Sequence, residues 1–137
     1  RLATLARRLP RADTALEAEV DRVSRVLPVE APDQGPITLP AQPFADLPGE
    51  IGLRLLFRVV DMNAAEGPVE LGKLEALLGA IHATIQSRPK TPFRRTLAGA
   101  LVSVAGGKIS IQRAPARQTS QSLTKRRGRP TKPRGTR

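Results

Sequence analysis

The chain reads as an α+β fold, mainly helical: three or four amphipathic helices followed by one β-hairpin and a disordered basic tail. Three observations predict this. Apolar residues recur at spacings of three and four as far as Ile85, the pattern turns to alternation between Thr96 and Arg113, and apolar content almost vanishes from Ala114 onward.

Leu2, Leu5, Leu9, Ala12, Leu16, Val20, Val23 and Leu27 share one helical stripe. Pro10 interrupts it. Proline removes a backbone donor and crowds the preceding turn, so the expectation is a short helix to about Leu9 and a second from Thr14, where Thr14 and Glu17 match a capping box; a single kinked helix is the competitor. Arg7, Arg8, Arg11, Glu17, Glu19, Asp21 and Arg25 fall on the other faces and read as a solvated surface. Six prolines between residues 28 and 48 exclude a regular helix there and leave an extended connector, with Ile37, Thr38 and Leu39 as one short edge strand. After Pro48, Ile51, Leu55, Val59 and Met62 align as a second helix, closed by the stretch Asn63 to Pro68. Leu71, Leu74, Leu78, Ile81 and Ile85 define a third, in which Gly79 is a small cost. The segments Thr96 to Val104 and Lys108 to Arg113, separated by Ala105, Gly106 and Gly107, give the hairpin. The organisation expected is therefore 1–27 helical segment, 28–48 Pro-rich connector, 49–113 helical pair plus β-hairpin, and 114–137 basic disordered tail, which has too little apolar surface to offset its ordering entropy.

At 137 residues the chain fits one modest domain with a tail. Its core must be aliphatic, because Phe44, Phe57 and Phe93 are the only aromatics. Splayed bases are usually held on aromatic platforms, so phosphate contact is the expected mode of any nucleic-acid binding. Without cysteine there is no disulfide, thiolate nucleophile or Cys-ligated zinc. No apolar run approaches the ~20 residues of a membrane span and no signal peptide opens the chain, so a cytoplasmic location and no membrane partner are expected. The chain begins at Arg1 inside a helical pattern, which suggests a piece of a longer polypeptide.

Charge gives the strongest functional pointer. All twelve acidic residues lie between Asp13 and Glu75, whereas the last 62 residues carry fourteen Lys and Arg with no carboxylate. A one-sided block of this kind is the footprint of a polyanion partner. The candidate nucleic-acid contacts are Arg88, Lys90, Arg94 and Arg95 before the hairpin, Arg113 at its end, and Lys125, Arg126, Arg127, Arg129, Lys132 and Arg134 in the tail. Each alone is equally well a solubility charge; their value is collective. Arg127, Gly128, Arg129 and Pro130 resemble an AT-hook, whose extended Arg-Gly-Arg suits the narrow minor groove of A·T-rich DNA; a non-specific polycationic tail is the alternative.

Catalytic constellations are missing. His82 is the only histidine, with no second imidazole to build a metal site and no obvious partner for a triad, and it reads as a helix-surface or core-edge residue. Gly106, Gly107 and Lys108 do not make a phosphate loop, since Val102 stands where the loop needs glycine and Ile109 where it needs Ser or Thr; a hairpin turn fits better. No catalytic residue, metal or cofactor is expected in this chain.

Four segments, in order, resemble the tRNA(Ile)-lysidine synthetases downstream of their nucleotide-binding domain. These are RLATLARRLPRADTALEAEVDRV, with Arg11 to Leu16 closest to the family pattern; LPGEIGLRLLFRVV (47–60), with paired Arg54 and Arg58; LGKLEALLGAI (71–81); and RRTLAGALVSVAGGKISIQR (94–113), similar to the family's Thr-Leu-Gly-Gly hairpin with Ala98 in place of a glycine. The resemblance covers about residues 1–113. It implies a cytoplasmic ligase that uses ATP and free lysine to modify the wobble cytidine of an isoleucine tRNA. That chemistry belongs to an N-terminal PP-loop domain with a Ser-Gly-Gly-x-Asp-Ser motif, which does not occur in this sequence. The resemblance therefore implies a tRNA-binding, non-catalytic portion, with ATP a cofactor of the parent enzyme only. The rivals are a small DNA-binding protein using the RGRP tail and a ribosomal-type structural protein.

Overall fold

A computed structural model describes residues 2–116. The first helix, α1 (Leu2–Val26), is continuous, with Pro10 inside it. This corrects the expected break. The carbonyl that Pro10 leaves without a donor belongs to Ala6, which is exposed and open to water, so the loss stays local and the helix resumes. Thr14 is not a cap either: its Oγ1 donates to the Pro10 carbonyl at 2.8 Å, one turn back within the helix. Among the described side chains of α1, only those of its second half pack. Val20 and Val23 are buried and Leu16 leans on the core, whereas Leu2 is 84% and Leu9 63% exposed.

The connector contains a second departure. After the strand β1 (Ile37–Pro40) a five-residue helix, α2 (Ala41–Ala45), forms despite its prolines. Pro40 and Pro43 occupy positions before and within the first turn, where N–H groups have no helical acceptor anyway. Its fully buried Phe44 is the one aromatic in the core. Helices α3 (Gly49–Asn63) and α4 (Leu71–Ser87) lie where the periodicity puts them. The buried line of α4 runs through Leu74, Leu77 and Ile81, while Leu71 is exposed. His82 is half-buried, its ring centroid 6.4 Å from that of Phe44, as a core-edge residue should be.

The expected hairpin is a three-stranded meander. The segment Thr96 to Val104 folds back on itself at Ala98 and Gly99, giving β2 (Phe93–Leu97) and β3 (Ala100–Ala105), and β4 (Lys108–Arg113) follows. With β1 the sheet has the order β1-β4-β3-β2, every pair antiparallel. Both tight turns have positive φ at their two central residues, 50° and 81° at Ala98 and Gly99, 57° and 74° at Gly106 and Gly107, as two-residue hairpin loops require. The reading of Gly106, Gly107 and Lys108 as a turn therefore holds. Ala98 departs from the residue types such turns favour, which is why this turn escaped notice in the sequence.

Strand alternation separates two faces. Ile37, Leu39, Leu97, Ala100, Val102, Val104, Ile109 and Ile111 point into the core beneath the helices. Thr38, Arg94, Thr96, Leu101, Ser103, Lys108, Ser110 and Gln112 point the other way and stay partly or fully exposed. Among the described residues no polar or charged side chain is buried and no buried polar atom lacks a partner. None of the described helices is long and apolar enough to cross a membrane.

Candidate nucleic-acid interface

The basic residues divide into those already neutralised and those that are not. α1 and α3 run side by side in the same direction, joined by a ladder of ion pairs. Arg54 reaches Asp13 at 2.8 Å, Glu17 at 2.7 Å and Glu50 at 2.8 Å; Arg58 reaches Asp21 at 2.6 Å and also binds Glu17. The hydrogen bonds from Arg58, then Arg54, hold the Glu17 carboxyl below its ordinary pKa, and both guanidinium groups are pushed up in turn. Glu17 and Asp21 are thus more than the solvated surface they were expected to be. They occupy the paired arginines of the second segment, residues 47–60, and leave those arginines structural.

The cations after α4 are in the opposite condition. Arg88 ends α4, Lys90 lies in the short loop between Pro89 and Pro92, and Arg94 and Arg95 lie on β2, an edge strand of the described sheet. All four are exposed, and none takes part in an ion pair among the described residues. Four uncompensated cations thus fall within eight residues of the described fold. Alternation sends Arg94 to the outer face of the sheet, opposite Ser103 of β3. Arg95 takes the other side, where its guanidinium carbon lies 5.3 Å from the Phe93 ring centroid, a cation–π contact that limits its swing.

Arg113 stands apart from this segment, opposite Ala100 at the far end of β4. Lys108 was missed. It opens β4 on the same outer face as Arg94, and only the register of the sheet, through Ser103 opposite Ser110, brings the two to one surface. Arg7, Arg8 and Arg11, exposed on the projecting half of α1, are likewise without a carboxylate partner among the described residues. Lys125, Arg126, Arg127, Arg129, Lys132 and Arg134, and with them the AT-hook resemblance, lie outside the described residues. A row of exposed cations with hydroxyl and amide side chains beside it can bind phosphates by charge and by hydrogen bonds.

Five curated proteins, each a tRNA(Ile)-lysidine synthase, match most of the chain. It is 41% identical to the tRNA(Ile)-lysidine synthase of Bradyrhizobium diazoefficiens over 85% of this chain and 37% of that protein. The synthase of a second Bradyrhizobium strain is 42% identical over 85% of this chain and 36% of its own length, and that of a Methylobacterium strain 37% identical over 88% and 36%. The chain thus resembles a portion of these synthases and spans little more than a third of their length. No protein-family model and no solved structure matches it.

Proposed function

We propose that the chain is a tRNA-holding, non-catalytic portion of a tRNA(Ile)-lysidine synthetase, an enzyme that ligates lysine to the wobble cytidine of an isoleucine tRNA with ATP. The observation that carries the reading is the pairing of two independent facts: 37–42% identity to proteins of that name over most of the chain, and a folded segment from Arg88 to Arg95 whose cations have no carboxylate among the described residues. Tethered to a catalytic domain, such a segment raises the local concentration of the tRNA by contacting phosphates, and leaves base recognition to other parts of the enzyme.

The test is a competition titration at fixed salt among folded tRNA, A·T-rich duplex and G·C-rich duplex, run on the whole chain and on a chain ending at Ala116. Both should prefer tRNA, and changing Arg94 and Arg95 together to Ala should weaken tRNA binding by about 1–3 kcal/mol. A preference for A·T-rich duplex that disappears with residues 117–137 would replace this reading with that of a DNA-binding tail.

A further inference from the structure

At the end of α4 the chain passes through Arg88 in the left-handed region, φ 45° and ψ 59°. Glycine is the usual occupant of such a helix end, because a Cβ there crowds the backbone. Strained residues of this kind collect at binding sites. Arg88 stands at the rim of an open cleft of about 480 Å³, whose walls include Ala41 and Pro43 of α2, Ile85 of α4, Pro89, and Val104 of β3. The rest of the lining adds the polar side chains of Gln42, Thr84 and Thr91 to these apolar walls, and Arg88 is its only charged member. At the same end of α4 the last carbonyls lack helical donors, except that of Thr84, which accepts from the Arg88 N–H at 3.0 Å. Apolar walls, carbonyl acceptors and one uncompensated guanidinium suit a flat heterocycle that carries amine donors and a phosphate.

We infer that this cleft takes a single nucleotide, its base against the proline and aliphatic walls and its phosphate on Arg88. The site resting on the tRNA reading above, its source is an unstacked residue of the RNA that lies along Arg94 and Arg95; a free mononucleotide is the other source of the same chemistry. No aromatic ring lines the cleft, so aliphatic contact replaces stacking and discrimination among bases is weak.

The experiment follows the amide spectrum of the whole 137-residue chain titrated separately with adenosine monophosphate, cytidine monophosphate, inorganic phosphate and a folded tRNA transcript. Two variants accompany it. Arg88→Gly removes the guanidinium and relieves the left-handed backbone, so the fold is kept; Thr91→Trp adds bulk to the cleft from an exposed loop position of its lining, with thermal unfolding as the check on folding. Both mononucleotides should shift the amides of Ile85, Thr91 and Gly106, phosphate alone should bind at least about tenfold more weakly, and each variant should cost about tenfold in nucleotide affinity, or ~1.4 kcal/mol. Shifts of the same amides by tRNA identify an RNA residue as the source. Equal binding of phosphate and mononucleotide, or indifference to Thr91→Trp, would overturn the cleft as a nucleotide site. If tRNA shifts only the β2 amides and no ligand reaches the cleft, this inference fails while the tRNA reading stands; if mononucleotides bind the cleft and tRNA does not bind at all, the free nucleotide is the ligand and the tRNA reading falls.

Discussion

At the scale of single residues, the backbone around Ala98 and Gly99 sets a sharp requirement. Ala65 and Glu66 both donate their N–H groups to the Ala98 carbonyl, at 2.9 and 3.0 Å, and a Cβ on Gly99 would meet those two nitrogens at 3.0 Å. Gly99→Ala should therefore destabilise the fold by about 1–3 kcal/mol in urea titrations, whereas Ala98→Gly, which relieves a left-handed alanine, should stabilise it by roughly 1 kcal/mol. Glu17 makes the pH prediction. Its pKa in the folded chain lies below the ordinary 4.5, so its ion pairs contribute in full above that value and are lost as pH falls through the depressed one. Midpoints for wild type should stay level from neutral pH to about 5 and then drop, and Glu17→Gln should flatten the acid limb. The arginines that Glu17 holds also mark a limit of reading residues along a chain. Arg54 and Arg58 carry the same side chain as Arg94 and Arg95, but their partners lie a helix and a connector away, and only the three-dimensional pairing distinguishes spent cations from available ones.

Among the elements, those whose residues obey one period throughout were legible: α3, α4, β1 and the turn between β3 and β4. Where local chemistry and tertiary context disagree, the sequence misleads. Pro10 breaks a hydrogen bond without breaking α1, the prolines of α2 fall where they cost nothing, and Ala98 hides a turn inside an apolar run. The candidate interface was half legible, since charge asymmetry isolates residues 88–95 but cannot supply Lys108 or the cleft beneath Arg88, which arise from strand register and from the packing of α2 against α4. α1 is two elements in energy, though one in geometry. Val20→Ala should cost about 1–3 kcal/mol, because it empties a fully buried position, while Leu9→Ala should change stability by less than about 0.5 kcal/mol. Thermal unfolding of the two variants checks the contrast.

For the molecule as a whole, binding through uncompensated cations implies a steep dependence on salt. The logarithm of tRNA affinity should fall against that of salt concentration with a slope of about −0.7 to −0.9 per phosphate contacted, and should become shallower when Arg94 and Arg95 are replaced. With no nucleotide-cradling loop in the sequence, the chain alone should give no ATP–pyrophosphate exchange with tRNA and lysine; exchange in a preparation free of other ATPases would reassign the roles. The sheet carries one more consequence, in time rather than in space. β4, the last strand made, lies between its neighbour β3 and the first strand β1, with Ile111 facing both Val102 and Ile37. The hairpin of β3 and β4 closes over a two-residue turn, but β1 must wait until both long helices have been threaded between it and its partner. Substitutions such as Val102→Ala should accordingly slow refolding, whereas Leu39→Ala should leave the refolding rate nearly untouched and hasten unfolding instead, a division that stopped-flow kinetics can read directly.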